Sequence, residues 1–221
     1  MNNGNKYKVI DIDNWKGKKH YLSFKEYKTP YYGMTVRMDI TKLYKLIKEK
    51  KYSFFISFMY IINIALSEIE EFRLRIKGND VLLYDKIHPA YTVMTNDGVF
   101  DNCNNEFVED FLEFNHITRN AIEKVKVGLK MDKEYNDPNT LDQFYYTCLP
   151  WIDFINISHP MTDDNNSCIP RIVWGKYDVK EEKTEITLGI QVNHALVDGK
   201  PLSDAFIKIQ EMLDNVNLYI K

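Results

Sequence analysis

The spacing of apolar positions changes period several times along the chain, and each change marks an element. Ile40, Leu43, Leu46 and Ile47 recur at helical spacing behind Asp39, a capping residue type, which predicts a helix over Asp39 to Glu49. Phe54 to Glu70 continues as a second helix whose apolar residues cover more than one face, as a helix packed against both a sheet and a neighbour requires. Arg73 to Ile76, a Lys77-Gly78-Asn79-Asp80 turn and Val81 to Asp85 read as a β-hairpin, because Gly and Asn tolerate the positive φ of such turns. Ala90 to Thr95 is a third strand. Beyond the Asn96-Asp97-Gly98 turn, Phe107, Phe111, Phe114, Ile117, Ala121 and Val125 form one stripe of a long helix from about Asn105.

The second half continues with a polar loop over Lys130 to Thr140. Strand-like segments at Phe144 to Cys148 and Arg171 to Val179 then flank a surface loop at Asp163-Asp164-Asn165-Asn166-Ser167. Glu185 to His194 alternates cleanly. Ile186, Leu188, Ile190 and Val192 point one way and Thr187, Gly189, Gln191 and Asn193 the other, with His194 on the parity of the apolar set. A last helix begins near Pro201 and buries Leu202, Ala205, Phe206, Ile209, Met212 and Leu213. With no internal repeat and no linker, the pattern predicts one α+β domain over residues 1–221, a two-layer sandwich with a mixed, mainly antiparallel sheet covered by helices.

Composition narrows the function classes. The 221 residues carry 29 basic and 32 acidic side chains, a net charge of −3 that offers no electrostatic footprint for nucleic acid or an anionic membrane. The N-terminus has no apolar signal region, and Phe54 to Leu66 is too short and too interrupted to span a bilayer, so a cytoplasmic location is expected. Cys103, Cys148 and Cys168 are widely spaced without a C-x-x-C pair, which argues for reduced thiols. The 15 Tyr and 12 Phe are suited to broad packed surfaces or subunit interfaces.

The candidate chemistry lies in Gln191-Val192-Asn193-His194-Ala195-Leu196-Val197-Asp198-Gly199, where a strand runs into a turn and a helix. A histidine on the apolar side of a strand end is kept neutral by desolvation and can accept a proton. Asp198 is placed to fix the turn, and Gly199 to adopt a backbone conformation closed to other residues. A lone histidine in such a place is more often a satisfied core residue than a base. His194 and Asp198 are also metal-ligating types, but His20, His88, His116 and His159 add no short ligand spacing, so no metal is expected.

The His-x-x-x-Asp-Gly pattern resembles the signature of the CoA-dependent acyltransferase superfamily, and the likeness to type A chloramphenicol acetyltransferases runs along nearly the whole chain. It is carried by Asp11-x-x-x-Trp15 with His20 beyond it, Met38-Asp39-Ile40-Thr41, Glu71-Phe72-Arg73, Asp85, His88-Pro89-x-Tyr91-Thr92-Val93, Pro150-Trp151, Gly175-Lys176-Tyr177 and Ile190 to Gly199. The resemblance implies a chloramphenicol acetyltransferase-like fold and direct acetyl transfer from acetyl-CoA, a co-substrate with no permanently bound cofactor, to a hydroxyl of chloramphenicol, which inactivates the antibiotic.

The same resemblance assigns roles. His194 is the general base, Thr147 stands where the family places a serine donor to the oxyanion, and Asp198 is a structural carboxylate paired with an arginine. The arginine position is Gly17 here, leaving Lys18 or Lys19 to reach Asp198. Lys176 and Tyr177 are implied at the CoA entrance, and Phe24, Tyr31 and Thr92 in the acceptor pocket, whose Tyr31, Ile157, Val173 and His159 differ from the family's residue types. The family forms homotrimers with active sites between subunits. Two other readings share these residues: an acetyltransferase for a different hydroxyl-bearing small molecule, favoured by the altered pocket, and a noncatalytic binding module, suggested by the missing arginine.

Overall fold

The computed structural model describes residues 7–129, 140–161 and 168–221. In chain order these form β1 (Tyr7–Val9), α1 (Lys18–Phe24), β2 (Tyr31–Asp39), α2 (Thr41–Lys50), α3 (Phe54–Ser67), β3 (Leu74–Lys77), β4 (Asp80–Tyr84), β5 (His88–Met94), β6 (Phe100–Asn104), α4 (Phe111–Lys126), β7 (Gln143–Cys148), β8 (Arg171–Trp174), β9 (Asp178–Val179), β10 (Thr184–Asn193) and α5 (Gly199–Asp214). The larger sheet has the order β2-β10-β8-β7-β5-β6, with β9 also on β10; β7 runs parallel to β5 and β8, and the other pairs are antiparallel. A smaller sheet has the order β1-β4-β3. The architecture is the expected α+β sandwich on a mixed, mainly antiparallel sheet.

Register separates the faces of the large sheet. Tyr91, Tyr146, Ile172, Ile190 and Met34 form one row across β5, β7, β8, β10 and β2. Helices cover this side: α3 lies over β5 and β7 and packs on α2, α4 and α5, while α5 lies over β2. Fully apolar along most of its length, α3 fills the core, and its buried Asn63 accepts from the Tyr146 hydroxyl and donates to the Ile87 carbonyl at 3.1 Å. The opposite face carries the row Thr147, Val173, Gly189 and Thr35. The segment 151–161 crosses it, tied down by Arg37 to Asp153 at 2.6 Å and Thr35 to Asn156 at 2.9 Å.

Several boundaries differ from the sequence expectation for local reasons. Asp110 accepts from the Glu113 amide and starts α4 at Phe111 rather than near Asn105; Phe107 is buried ahead of the helix and donates its amide to His88 Nδ1. Asp198 caps α5, which begins at Gly199 with Pro201 inside the first turn. Gly199 is helical with open space where a Cβ would stand, so it does not adopt a conformation reserved for glycine; Gly78, in the turn between β3 and β4, does, with φ +60. Arg171 to Val179 divides into β8 and β9. Strands β1, β2 and β6 and helix α1 were not anticipated, and the loops expected over Lys130 to Thr140 and Asp163 to Ser167 lie, apart from Thr140, outside the described residues. Among the described residues, no helix is long and apolar enough to cross a membrane.

Arg75 of β3 joins the two sheets. Fully buried, its guanidinium donates to the carbonyls of Phe72 and Leu74, just ahead of it in the chain, and to those of Leu141, just before β7, and Gln143, its first residue, all at 2.7–2.8 Å. Burial pushes its proton affinity down, yet an arginine so placed remains charged because its intrinsic pKa is so high. Arg75→Leu strips the donor from four carbonyls at once, and thermal or urea unfolding is expected to report a loss of about 3 kcal/mol or more. A wild-type melting curve in that variant would show the bridge to be dispensable.

Candidate active site

The β10 ladder with β2 ends at the pair Asn193–Tyr31, and Asn193 turns the chain there: its Oδ1 accepts from the Ala195 amide at 2.9 Å and its carbonyl from Leu196 and Val197. His194 therefore stands one residue beyond the strand, at the mouth of a tight turn, with its amide donated to the Pro30 carbonyl at 2.6 Å. Its ring meets the side of the sheet that faces the helices, because it packs at 4.2 Å on Tyr32, the register partner of Val192. Phe24 of α1 stacks on the imidazole at 4.0 Å with a 16° interplanar angle. His20, one turn earlier in α1, lies 5.0 Å from the ring and hydrogen-bonds the His194 carbonyl through Nε2. A carbonyl only accepts, so His20 Nε2 carries a proton.

This packing sets the electrostatics. Burial lowers the His194 pKa below the ordinary histidine range and the neighbouring His20 lowers it further, while backbone groups of His194 and Val197 and the Asp198 carboxylate act the other way. The imidazole is thus held neutral. Nδ1 is buried without a well-aligned hydrogen bond, which leaves Nε2 as the nitrogen able to meet a substrate. Burial, with help from Asp198, pushes the Tyr32 phenol up to about 12, so it too stays neutral beside the imidazole.

Thr147 lies elsewhere. It belongs to the opposite face of the sheet and lines a 1110 Å³ cleft together with Thr92, Tyr177, Phe54, Trp151 and His159. Its row meets β10 at Gly189, five residues before His194 and two strands away, which amounts to about 16 Å along the strands and about 10 Å across them. Within one chain, His194 and Thr147 cannot touch the same reacting carbon. Tyr31 lines a 220 Å³ recess on the Thr147 side, too small for a drug-sized molecule, which shares Ile157, Ser158 and His159 with the large cleft. Lys176 is exposed, whereas Tyr177 packs edge-on against Tyr44 and Phe54. Another cleft of 1140 Å³, beside Tyr60, Phe107 and Leu218, contains none of the candidate residues.

Asp198 is exposed, caps α5 by accepting from the Lys200 amide at 3.0 Å, and has no ion-pair partner among the described residues. Lys18 is engaged by Asp13 at 2.7 Å instead. At Gly17 the Trp15 indole fills the space above the backbone: a Cβ there would stand 2.4 Å from the ring.

A family model described as chloramphenicol acetyltransferase matches residues 5–210. The chain belongs to this family. It is an acyltransferase of that type, 28% identical over 209 residues to a chloramphenicol acetyltransferase of Escherichia coli, with 94% of each chain covered. A chloramphenicol acetyltransferase of Clostridium perfringens is 28% identical over 218 residues, covering 97% of this chain and 98% of the relative. Among solved structures, a chloramphenicol acetyltransferase superposes with a TM-score of 0.84 at 24% identity, covering 94% of this chain and all of the other. A probable dihydrolipoamide acetyltransferase from Listeria monocytogenes shares the fold at TM-score 0.66 and 14% identity, covering 90% and 89%.

For this family member, the sequence reading named His194 as a base and Phe24 as an acceptor-pocket residue beside Tyr31 and Thr92; the structure stacks Phe24 on His194 instead and adds His20 and Tyr32, which had no role in that reading. The alternation of Tyr32, Met34, Val36 and Met38 against Tyr31, Gly33, Thr35 and Arg37 carried the signal for β2 and for Tyr32. Because Phe24 shields the imidazole, Phe24→Ala should raise the His194 pKa toward the ordinary value, a shift measurable by proton NMR titration of the ring. An unmoved titration would remove Phe24 as a source of the desolvation.

Proposed function

We propose that the chain transfers the acetyl group of acetyl-CoA to a hydroxyl of a small acceptor, with chloramphenicol the favoured acceptor, by direct transfer in a ternary complex. The observation that carries this reading is the neutral, ring-clamped imidazole of His194 at the mouth of the turn. His194 Nε2 takes the acceptor's hydroxyl proton as that oxygen attacks the thioester carbonyl. The resulting oxyanion accepts a hydrogen bond from the Thr147 hydroxyl, and collapse expels the CoA thiolate, which recovers the proton from His194. Asp198 acts through the turn by capping α5, and Lys176, a point charge, favours the phosphates of CoA near the cleft. A dependence on acetyl-CoA supports a cytoplasmic location.

The sheet that separates His194 from Thr147 supports a homotrimer with active sites between subunits. One copy supplies the base to a neighbour's cleft, whose rim carries the exposed apolar side chains of Phe100 and Trp151, each 67% exposed in the isolated chain. An antibiotic-inactivating role follows if chloramphenicol is the acceptor. The altered walls at Tyr31, Ile157, Val173 and His159 favour a second reading, the same reaction on a different hydroxyl-bearing small molecule.

Release of free CoA thiol from acetyl-CoA, with and without chloramphenicol, tests the reading. Turnover should require chloramphenicol and fall about 10²–10⁴-fold in His194→Ala. Thr147→Val should cost about 10²–10³ in kcat, and Thr147→Ser much less. Neither loss would appear if the chain were a noncatalytic binding module. In wild type, kcat/KM should fall with acidification only below the ordinary histidine pKa, since protonating His194 abolishes the base and its pKa is depressed. Co-assembling equal amounts of His194→Ala and Thr147→Val should restore about a quarter of the sites if each site draws on two copies. No recovery from demonstrably mixed oligomers would sink the shared-site model.

A further inference from the structure

Side chains alternate along β7 and β8, so the register partners Tyr145 and Arg171 emerge on the same face of the large sheet as Thr147 and Val173, which pair two residues further on. From the rise and spacing of strands, the Arg171 backbone stands about 7 Å along and about 5 Å across from that of Thr147. Both residues line the 1110 Å³ cleft, and the Arg171 guanidinium lies over the ring of Tyr145, itself part of the cleft wall, 5.8 Å from the ring centre. Arg171 and Tyr145 are only partly buried, so a molecule in the cleft can reach them.

The rest of the lining is neutral. Among the described residues of the cleft, Arg171 is the one side chain with a formal charge. Burial lowers the pKa of His159, the Gln191 bond opposes this, and the Arg171 cation adds to the lowering, so that imidazole contributes no charge. Phe54, Phe55, Val93, Phe100 and Ile122 make much of the remaining wall apolar, and a cation beside such a wall attracts an anion more strongly than one in open water does. A guanidinium carries five N–H donors, so the partners it already holds leave donors for a ligand, and its planar fork matches the two oxygens of a carboxylate.

We propose that Arg171 is a specificity-determining residue of the cleft, and that the acceptor carries, besides the hydroxyl that is acetylated, an oxyanionic group such as a carboxylate that this guanidinium binds. The inference rests on the acyl-transfer reading and gives its second acceptor a chemical class, the hydroxyl-bearing organic anions.

Three probes test it: chloramphenicol, which is neutral; an analogue with its aryl nitro group replaced by a carboxylate of the same shape; and an analogue with its dichloroacetyl group replaced by succinyl, which ends in a carboxylate. Their Kd values are measured by calorimetry without acetyl-CoA on wild type, Arg171→Gln and Arg171→Lys, and CoA release is read separately. Wild type should bind at least one carboxylate analogue roughly 10-fold more tightly than chloramphenicol, and the preference should shrink as salt is raised. In Arg171→Gln the preference should vanish through weaker binding of the anion, with chloramphenicol binding and KM for acetyl-CoA unchanged. Arg171→Lys, which keeps the charge without the fork, should retain part of it. The absence of any preference in wild type overturns the inference, as does a preference that survives in Arg171→Gln or a uniform loss for all three probes. A raised KM for acetyl-CoA in Arg171→Gln with the anion preference intact would assign the guanidinium to the CoA phosphates and overturn it equally. Anion binding that depends on Arg171 while no probe releases CoA would instead sink the acyl-transfer reading alone.

Discussion

The pairing of β10 with β2 is the constraint on which the rest depends. It runs without a break from Glu185–Asp39 to Asn193–Tyr31, while β8 holds the other edge of β10 from Leu188 to Gln191. Because side chains alternate, this register decides which residues the helices bury and which face the cleft. A slip of one residue would turn Ile186, Leu188, Ile190 and Val192 away from the core and push Gln191 into it. The buried apolar set on β10 makes that slip costly, so the hydrophobic pattern that stabilises the core also aims Gln191 at His159 and delivers His194 to the end of the sheet.

The same register has a consequence for assembly. A sheet is a wall between its two faces, and the chain places its imidazole by the helix-facing side at one end and its Thr147 hydroxyl on the open face. No side-chain rotation spans the distance between them, since both are fixed by backbone position. On the proposed reading, a cleft with an exposed tryptophan and phenylalanine at its rim and the proposed oxyanion donor within is half of a site, and a clamped neutral histidine at a strand end is the other half. In the proposed homotrimer, a rotation that repeats head to tail and closes would join each half to its complement and leave no unmatched end.

Much of this was legible in the sequence because the signals were local. Period-two alternation gave β10 and the parity of His194, helical spacing gave α2, α4 and α5, a long apolar run covering more than one face gave α3, and the Gly78 turn gave the β3–β4 hairpin. Missed elements had weaker or masked signals. The alternating partners in β2 are Met and Tyr set against Tyr, Gly, Thr and Arg, which dilutes the contrast of a half-buried edge strand, and α1 is only seven residues long. The contacts of His20 and Tyr32 with His194 could not be read at all, because they join residues far apart in the chain through the β2 register. Nor could the bond from the His159 amide to the Gln191 carboxamide, which meet across the open face.

The departure at Gly17 shows how one substitution redistributes a structural task. The family resemblance expects an arginine there, bridging to the carboxylate after the catalytic histidine. Here the Trp15 indole lies flat over Gly17, so an added side chain would displace the ring before it could reach Asp198. Asp198 instead spends its carboxylate on the first turn of α5, an interaction favoured by the unpaired amides and positive dipole at a helix start. What the missing ion pair would have held is held by other bonds: Asn193 closes the turn from within, Pro30 receives the His194 amide, and His20 grips the His194 carbonyl. Both backbone polar groups of His194 are thereby satisfied by neighbours on either side of α1 and β2. The orientation of the His194 ring is set by these backbone bonds and the Phe24 stack, without an ion pair to Asp198 among the described residues.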